Sequence, residues 1–390
     1  MSLSILVVGS ENPRIRDLFD QVGHYANVSY LDTAPVTRNP SFRKLITSWR
    51  WRGNGDRPPS AVLIVPRRWR EISARLTNWF IRKSYSKIGK PDVVVFTWPQ
   101  LAFLAEKMPD VARVYYCKDP FDTWDWGPKD RDIRGMESRL LECCDGVFAV
   151  SKLLAEDFQP RTQGKVFYHP NGVSEAFLTQ TNLPRPEKLP SDKPVVGCVG
   201  QINKTYDWEF ILALAAAMPE VRFCFVGNVD EDVPDKRRQV LHHLTTTPNI
   251  LWLGRQPHSE LPAYIQHFDV AFCFLKADYA GNRRSPLRLY DYLSSDRPVV
   301  STPVAEAYVH VPHLHVAQTP QDAAALVRRI LTGGLPVDVE ARRNYIQQQT
   351  WSIRAREFME GLQEIIPSLQ TEKLAVLPSA GSGQGIRAAS

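Results

Sequence analysis

The chain reads as an α/β protein of two domains, each a mostly parallel sheet covered by helices. Three observations predict this. Its 390 residues exceed what one core usually supports, since domains of roughly 150 to 200 residues are the norm. Short Val-rich runs alternate with longer segments of helical periodicity, the pattern of strands buried on both faces by crossover helices. A proline-rich stretch without an apolar period, residues 179–194, divides these runs into two groups.

The first group opens with SILVVG and continues through AVLIV, DVVVF, ARVYYC, GVFAVS and KVFYH. These runs place an N-terminal domain over 1–178. After the linker come VVGCVG, RFCFVG, ILWLG, VAFCFL and PVVST, which place a second domain over 195–344. In such sheets ligands gather at the carboxyl ends of strands, so Gly200 and Gly227 mark the expected binding edge, with Gln201 beside Gly200. Asp207 caps the helix DWEFILALAAA. The segment Tyr345–Ile366 reads as one long amphipathic helix within 345–370, and 371–390 are small and polar, a disordered tail.

No apolar run approaches the roughly 20 residues needed to span a bilayer, and no basic region precedes the first apolar stretch, so a cytoplasmic protein is expected. Six cysteines at 117, 143, 144, 198, 224 and 273 include no CxxC and no His at ligand spacing, which fits buried thiols in a reducing compartment. No metal and no cofactor is expected. Asp230, Glu231 and Asp232 read as solvated loop charge rather than a cation site.

The most informative stretch is NRRSPLRLYDYLSSDRPVVSTP, Asn282 to Pro303. Ser285 and Pro286 read as a helix start, because Ser accepts from orphan amides and Pro is tolerated at the first helical position. The Ser285, Pro286 and Leu287 turn, with Arg283, Arg284 and Arg288 around it, makes an anion site suited to a diphosphate. Asp291 follows Arg288 by three residues, so a carboxylate for ribose hydroxyls shares its face. An amphipathic surface helix in which Arg288 and Asp291 simply pair is the alternative.

SPLRLYDYLSSDRPVVST resembles the SPLKLYEYLAAGKPVVST segment of GT-B glycosyltransferases close to family 4. The likeness extends through VVGCVGQINKTYDWEFILALA, FCFVGNV, PNILWLGRQPHSELPAYIQHFDVAFCFL and, more faintly, VFAVSKLLAEDF and HPNGVSEAF. It implies the GT-B fold of two Rossmann-like domains facing across a cleft, the second holding a nucleoside diphosphate sugar, UDP- or GDP-linked. It further implies transfer to a lipid-linked or polysaccharide acceptor in bacterial-type surface glycan synthesis, without a metal. Family-4 enzymes usually carry Glu, seven residues, Glu; here Arg283 and Asp291 stand at those positions, which leaves retention or inversion open. The segment ARVYYCKDPFDTW is similar to the strand-then-Asp arrangement of xanthan-type glucuronosyltransferases. That similarity makes Asp119 the candidate base, with a turn cap as its other reading. Lys204, after the first strand of the second domain, is the candidate for the β-phosphate.

Residues 38–90 hold fourteen Lys and Arg against two acidic residues, a formal +12 in a chain of +6 overall. Trp49, Trp51, Trp69, Trp79 and Phe80 are interleaved with them, which suits the headgroup layer of an anionic membrane on its inner face. The same composition could grip nucleic acid, but no nucleic-acid fold signature accompanies it. Two further readings of the whole chain stay open: a non-catalytic membrane or nucleic-acid binding protein on a GT-B scaffold, and a GT-B sugar epimerase.

Overall fold

The computed structural model describes residues 3–10, 12–35, 60–65, 70–124, 132–230 and 234–367. The expected tail at 371–390, residues 38–59 and 66–69 of the basic stretch with Trp49, Trp51 and Trp69, and Glu231 and Asp232 lie outside these. Among the described residues, those up to Pro170 together with those from Trp351 onward form one compact unit, and Asn171–Thr350 form another.

In the first unit the strands are β1 (Ser4–Val8), β2 (Asn27–Pro35), β3 (Ser60–Val65), β4 (Val93–Phe96), β5 (Ala112–Cys117), β6 (Gly146–Ala149) and β7 (Lys165–Tyr168). In the second they are β8 (Val195–Val199), β9 (Arg222–Val226), β10 (Ile250–Gly254), β11 (Val270–Cys273), β12 (Val299–Ser301) and β13 (His315–Val316). Helices include α1 (Pro13–Val22), α2 (Arg70–Ile88), α3 (Trp208–Ala217), α4 (Pro234–Thr246), α5 (Leu287–Leu293), α6 (Pro320–Leu331), α7 (Val339–Gln347) and α8 (Trp351–Ile365).

Both sheets are parallel throughout. Their orders are β3-β2-β1-β4-β5-β6-β7 and β10-β9-β8-β11-β12-β13, so each runs outward from its first strand and then reverses. That reversal creates a switch point beside β1/β4 and another beside β8/β11, the place where an open α/β sheet receives its ligand. The central strands are uniformly apolar because helices cover both faces: β4 is VVVF and β8 is VVGCV, and every residue of both is buried. Each such fully buried Val or Phe contributes up to about 1.5–3 kcal/mol by area. β2 and β13 are strands that the apolar runs did not predict. NVSYLDTAP interleaves polar residues, and a two-residue strand has no periodicity to read.

The expected single helix over Tyr345–Ile366 is two helices. Its ladder breaks at residues 348–350, where the Gln349 carbonyl accepts from the Val173 amide at 2.8 Å and Val173 pairs with Thr350. The units divide at that break. On the amino-terminal side the division falls at 170/171 rather than 178/179. Val173, Phe177 and Leu189 are buried in the core of the second unit, so part of the proline-rich stretch packs there as well.

α8 completes the first unit. Phe358 packs on Phe148 at 4.6 Å and on Phe19 at 5.0 Å between ring centroids. Gly146 and Gly361 leave room for it, since a Cβ at either would meet Ile365 or Phe148 within 3 Å. At the end of β7, His169 is completely buried. Its ring bridges the Tyr116 hydroxyl at 3.0 Å and the Arg354 carbonyl of α8 at 2.8 Å. All six cysteines are free thiols, and five are buried. No helix among the described residues is long and apolar enough to cross a membrane.

Candidate functional site

The carboxyl edge of the second sheet is shaped by two glycines. Gly200 follows β8 with φ +115°, a conformation that only glycine adopts without strain. Gly227 follows β9, and a Cβ there would lie 1.9 Å from the Gly200 carbonyl oxygen. The two loops therefore cross in backbone contact. The loop after β8 then meets the chain leaving β9, where Ile202 pairs with Val229, and the chain leaving β11, where Tyr206 pairs with Leu275 and the Lys276 amide donates to the Thr205 carbonyl at 2.9 Å. Asp207 caps α3 through the Phe210 amide at 3.1 Å, as its place in the sequence predicts.

Arg288 enters this edge from α5. Its guanidinium donates to the Tyr206 hydroxyl at 2.6 Å and to the Cys198 Sγ at 3.5 Å, and lies 4.8 Å from the Tyr206 ring centroid. One guanidinium nitrogen sits 3.2 Å from the position a Gly200 Cβ would take. Tyr206 is fully buried, and burial pushes its pKa well up, so it meets Arg288 as a neutral phenol. Arg288 makes no ion pair with a carboxylate among the described residues. A cation held half-buried at a glycine-bent strand end by neutral groups is poised for an anion that the protein itself does not supply.

α5 is fixed at both ends. It begins at Leu287, with Pro286 extended at ψ 106° as its cap residue and no side-chain capping bond. The sequence expectation, with Ser285 as the cap and Pro286 as the first helical residue, is thus corrected by one residue. The reason is Asn171, which donates its amide to the Ser285 Oγ at 3.4 Å and its side-chain N–H to the Ser285 carbonyl at 2.7 Å. Ser285 is spent on that turn rather than on the helix amides. Beyond the other end, buried Arg342 donates to the carbonyls of Ser295, Arg297 and His313 at 3.3, 2.5 and 2.7 Å.

The other expected residues are placed as follows. Asp291 is half-buried on α5, three residues past Arg288. Gln201 and Lys204 are exposed in the loop after β8. Arg283 lies over the Tyr279 ring at 3.8 Å, and the Arg284 amide donates to the Gly281 carbonyl at 3.2 Å. Asn282 braces that loop, donating to the Ala277 carbonyl at 3.2 Å and accepting from the Ala305 amide at 2.9 Å. Lys204 also lines a hollow of about 690 Å³ with Asp207, Trp208, Lys236, His243 and Lys276. No α5 residue lines that hollow among the described residues.

In the first unit, Asp119 lies two residues past β5 and is half-buried. The Cys117 thiol donates to the Asp119 carbonyl at 3.3 Å. Beside it is a cluster that the sequence reading missed. The Lys118 ammonium is buried 3.7 Å from the Trp98 ring centroid, and Trp98 in turn touches Phe121 and Trp124 with ring centroids 5.0 and 5.8 Å away. Trp98 follows β4, at the switch point, where it packs over Gly9. The only signal was the cation adjacent to Asp119 in CKD; its aromatic partner is remote in sequence. Among the described residues no group of three or more His, Cys, Asp or Glu could hold a metal ion.

Residues 193–333 match the family model described as Glycosyl transferases group 1. The chain is 27% identical over 244 residues to "Putative teichuronic acid biosynthesis glycosyltransferase TuaH" of Bacillus subtilis (strain 168), covering 58% of this chain and 59% of that protein. Three solved structures share the fold. Sucrose-phosphate synthase from Thermosynechococcus elongatus superposes with TM-score 0.68 at 14% identity, over 94% of this chain and 100% of its own. "Trehalose-6-phosphate from E. coli bound with UDP-2-fluoro glucose" gives TM-score 0.70 at 12% identity, over 93% and 99%. Anabaena HepE in complex with UDP gives TM-score 0.67 at 14% identity, over 93% and 100%.

Proposed function

We infer that this chain, a GT-B protein whose residues 193–333 are a glycosyl transferases group 1 domain, moves a glycosyl group from a nucleoside diphosphate sugar to a hydroxyl acceptor. The observation that carries the reading is Arg288, a cation held at the end of β8 by Tyr206 and Cys198. In this assignment Arg288 and Lys204 meet the diphosphate, and Asp291 accepts the ribose hydroxyls. Gly200 and Gln201, with the Ser285–Leu287 turn and Arg283 and Arg284, line the donor. The UDP carried by HepE favours a uridine donor.

The acceptor oxygen attacks the anomeric carbon, the bond from that carbon to the β-phosphate oxygen breaks, and the nucleoside diphosphate leaves with the electron pair. Cations at the phosphates stabilise the charge that develops there. If the configuration inverts, Asp119 takes the acceptor proton. The name of the Bacillus relative, a teichuronic acid biosynthesis glycosyltransferase, supports a surface-glycan acceptor; in this reading that acceptor is lipid-linked or polymeric and the transfer takes place at the inner face of the cell membrane. The test is release of UDP or GDP from a panel of sugar nucleotides in the presence of membrane-extracted glycan lipids. Acceptor-dependent release by the wild type that Asp291→Ala abolishes supports the reading; no release from any donor, or release independent of acceptor, defeats it.

A further inference from the structure

The solvent side of α2 presents apolar and cationic side chains together. Leu76 is 41% exposed and Trp79 53% exposed, both high for residues of that size. With exposed Lys83 and Lys87 they recur at steps of three and four residues, which aligns them in one stripe along a helix. The Lys83 ammonium sits 4.8 Å from the Trp79 ring centroid. The core-facing side of the same helix is separate and complete, with Thr77, Phe80, Ile81 and Ser84 buried. Trp79 and Phe80, adjacent in sequence, thus go to opposite sides, and the exposed stripe is not a core face left uncovered.

The flank of the helix is tied down by other charges. Arg82 grips Asp110 with two bonds at 3.1 and 2.6 Å, and Lys90 lies 3.7 Å from the same carboxylate. These cations are neutralised within the protein, whereas Lys83 and Lys87 form no ion pair among the described residues. An exposed indole with a lysine ammonium beside it and a second exposed lysine one turn on matches the boundary between headgroups and acyl chains. The surrounding stretch, +12 over residues 38–90, selects an anionic surface.

We propose that the Leu76–Trp79–Lys83–Lys87 stripe of α2 docks on an anionic lipid bilayer. A single-stranded nucleic acid could use the lysines and the indole, but Leu76 offers a base no stacking face, which favours lipid. The proposal does not depend on the transfer reaction. It is tested with the full chain by co-sedimentation with phosphatidylglycerol-containing vesicles, neutral phosphatidylcholine vesicles and a single-stranded oligonucleotide. The variants are Lys83→Glu/Lys87→Glu and, separately, Leu76→Ser/Trp79→Ser. Because these side chains are exposed, both variants should melt with the wild type. The wild type is expected on anionic vesicles only, with partitioning reduced at least about fivefold for each lysine replaced, and a comparable loss in the Leu76/Trp79 variant. No binding by the wild type, undiminished binding by both variants, or retention on the oligonucleotide instead of the anionic vesicles would overturn it.

Discussion

Lowering the pH from 7 to 5 should weaken the first unit through His169 alone by about 2 kcal/mol. The ring is fully buried at the end of β7, where burial pushes its pKa down from 6.5 to about 4; the nearby Glu357 carboxylate opposes that shift without cancelling it. Because the Nε2 position faces the Arg354 carbonyl, that nitrogen carries the proton, and Nδ1 accepts from the Tyr116 hydroxyl. Protonation would place a second hydrogen between Nδ1 and the phenol and leave a cation among Phe148, Phe358 and Tyr116. The folded pKa is depressed, so the unfolded chain binds the proton first. The stabilisation is present above 6.5 and is lost as the pH falls from there towards 4, to a total of about 3 kcal/mol for a shift of this size. Urea unfolding followed by tryptophan fluorescence reads this unit preferentially, since eight of the ten tryptophans belong to its sequence. Other groups titrate in the same range, so the comparison is between wild type and His169→Gln, whose amide can still reach Arg354. The wild type should lose about 2 kcal/mol more than the variant between pH 7 and 5. Parallel losses in the two proteins would refute the reasoning.

Gly227→Ala puts a methyl 1.9 Å from the Gly200 carbonyl oxygen, both in backbone; calorimetry should find the second unit destabilised by about 2 kcal/mol or more. Tyr206→Phe keeps the ring and removes the hydroxyl that holds Arg288, so donor KM should rise roughly tenfold, the equivalent of one charged hydrogen bond, with melting little changed. Asp119→Asn should lower kcat by about a hundredfold or more while donor affinity measured by calorimetry stays at the wild-type value.

Most of the fold was legible because parallel strands buried on both faces are written as uninterrupted apolar runs, and VVVF or VVGCV admit few other readings. β2 escaped because its residues alternate with polar ones, and β13 because two residues carry no period. The helix break at 348–350 has no proline or glycine to announce it; it is set by Val173, far away in sequence, taking the Gln349 carbonyl. The same limit applies to the site. That Arg288 and Asp291 share one short helix could be read from their spacing. That Arg288 turns onto Tyr206, and that Ser285 is held by Asn171, depends on partners 82 and 114 residues away. The Lys118–Trp98 contact was invisible for the same reason, whereas the charge of the basic stretch was plain but not which of its aromatics would face outward.

The central claim is that the second unit binds a nucleoside diphosphate sugar around Arg288 and Asp291. Its most direct test is a thermal-shift titration of wild type and Asp291→Ala with UDP, GDP, their common sugars and the free nucleosides. A ligand of the folded state stabilises it by about 2.7 kcal/mol at a hundred times its Kd. A base-selective rise in melting temperature that needs the diphosphate and disappears in Asp291→Ala is the predicted result. No shift with any member of the panel, or an equal shift in the variant, would contradict the account.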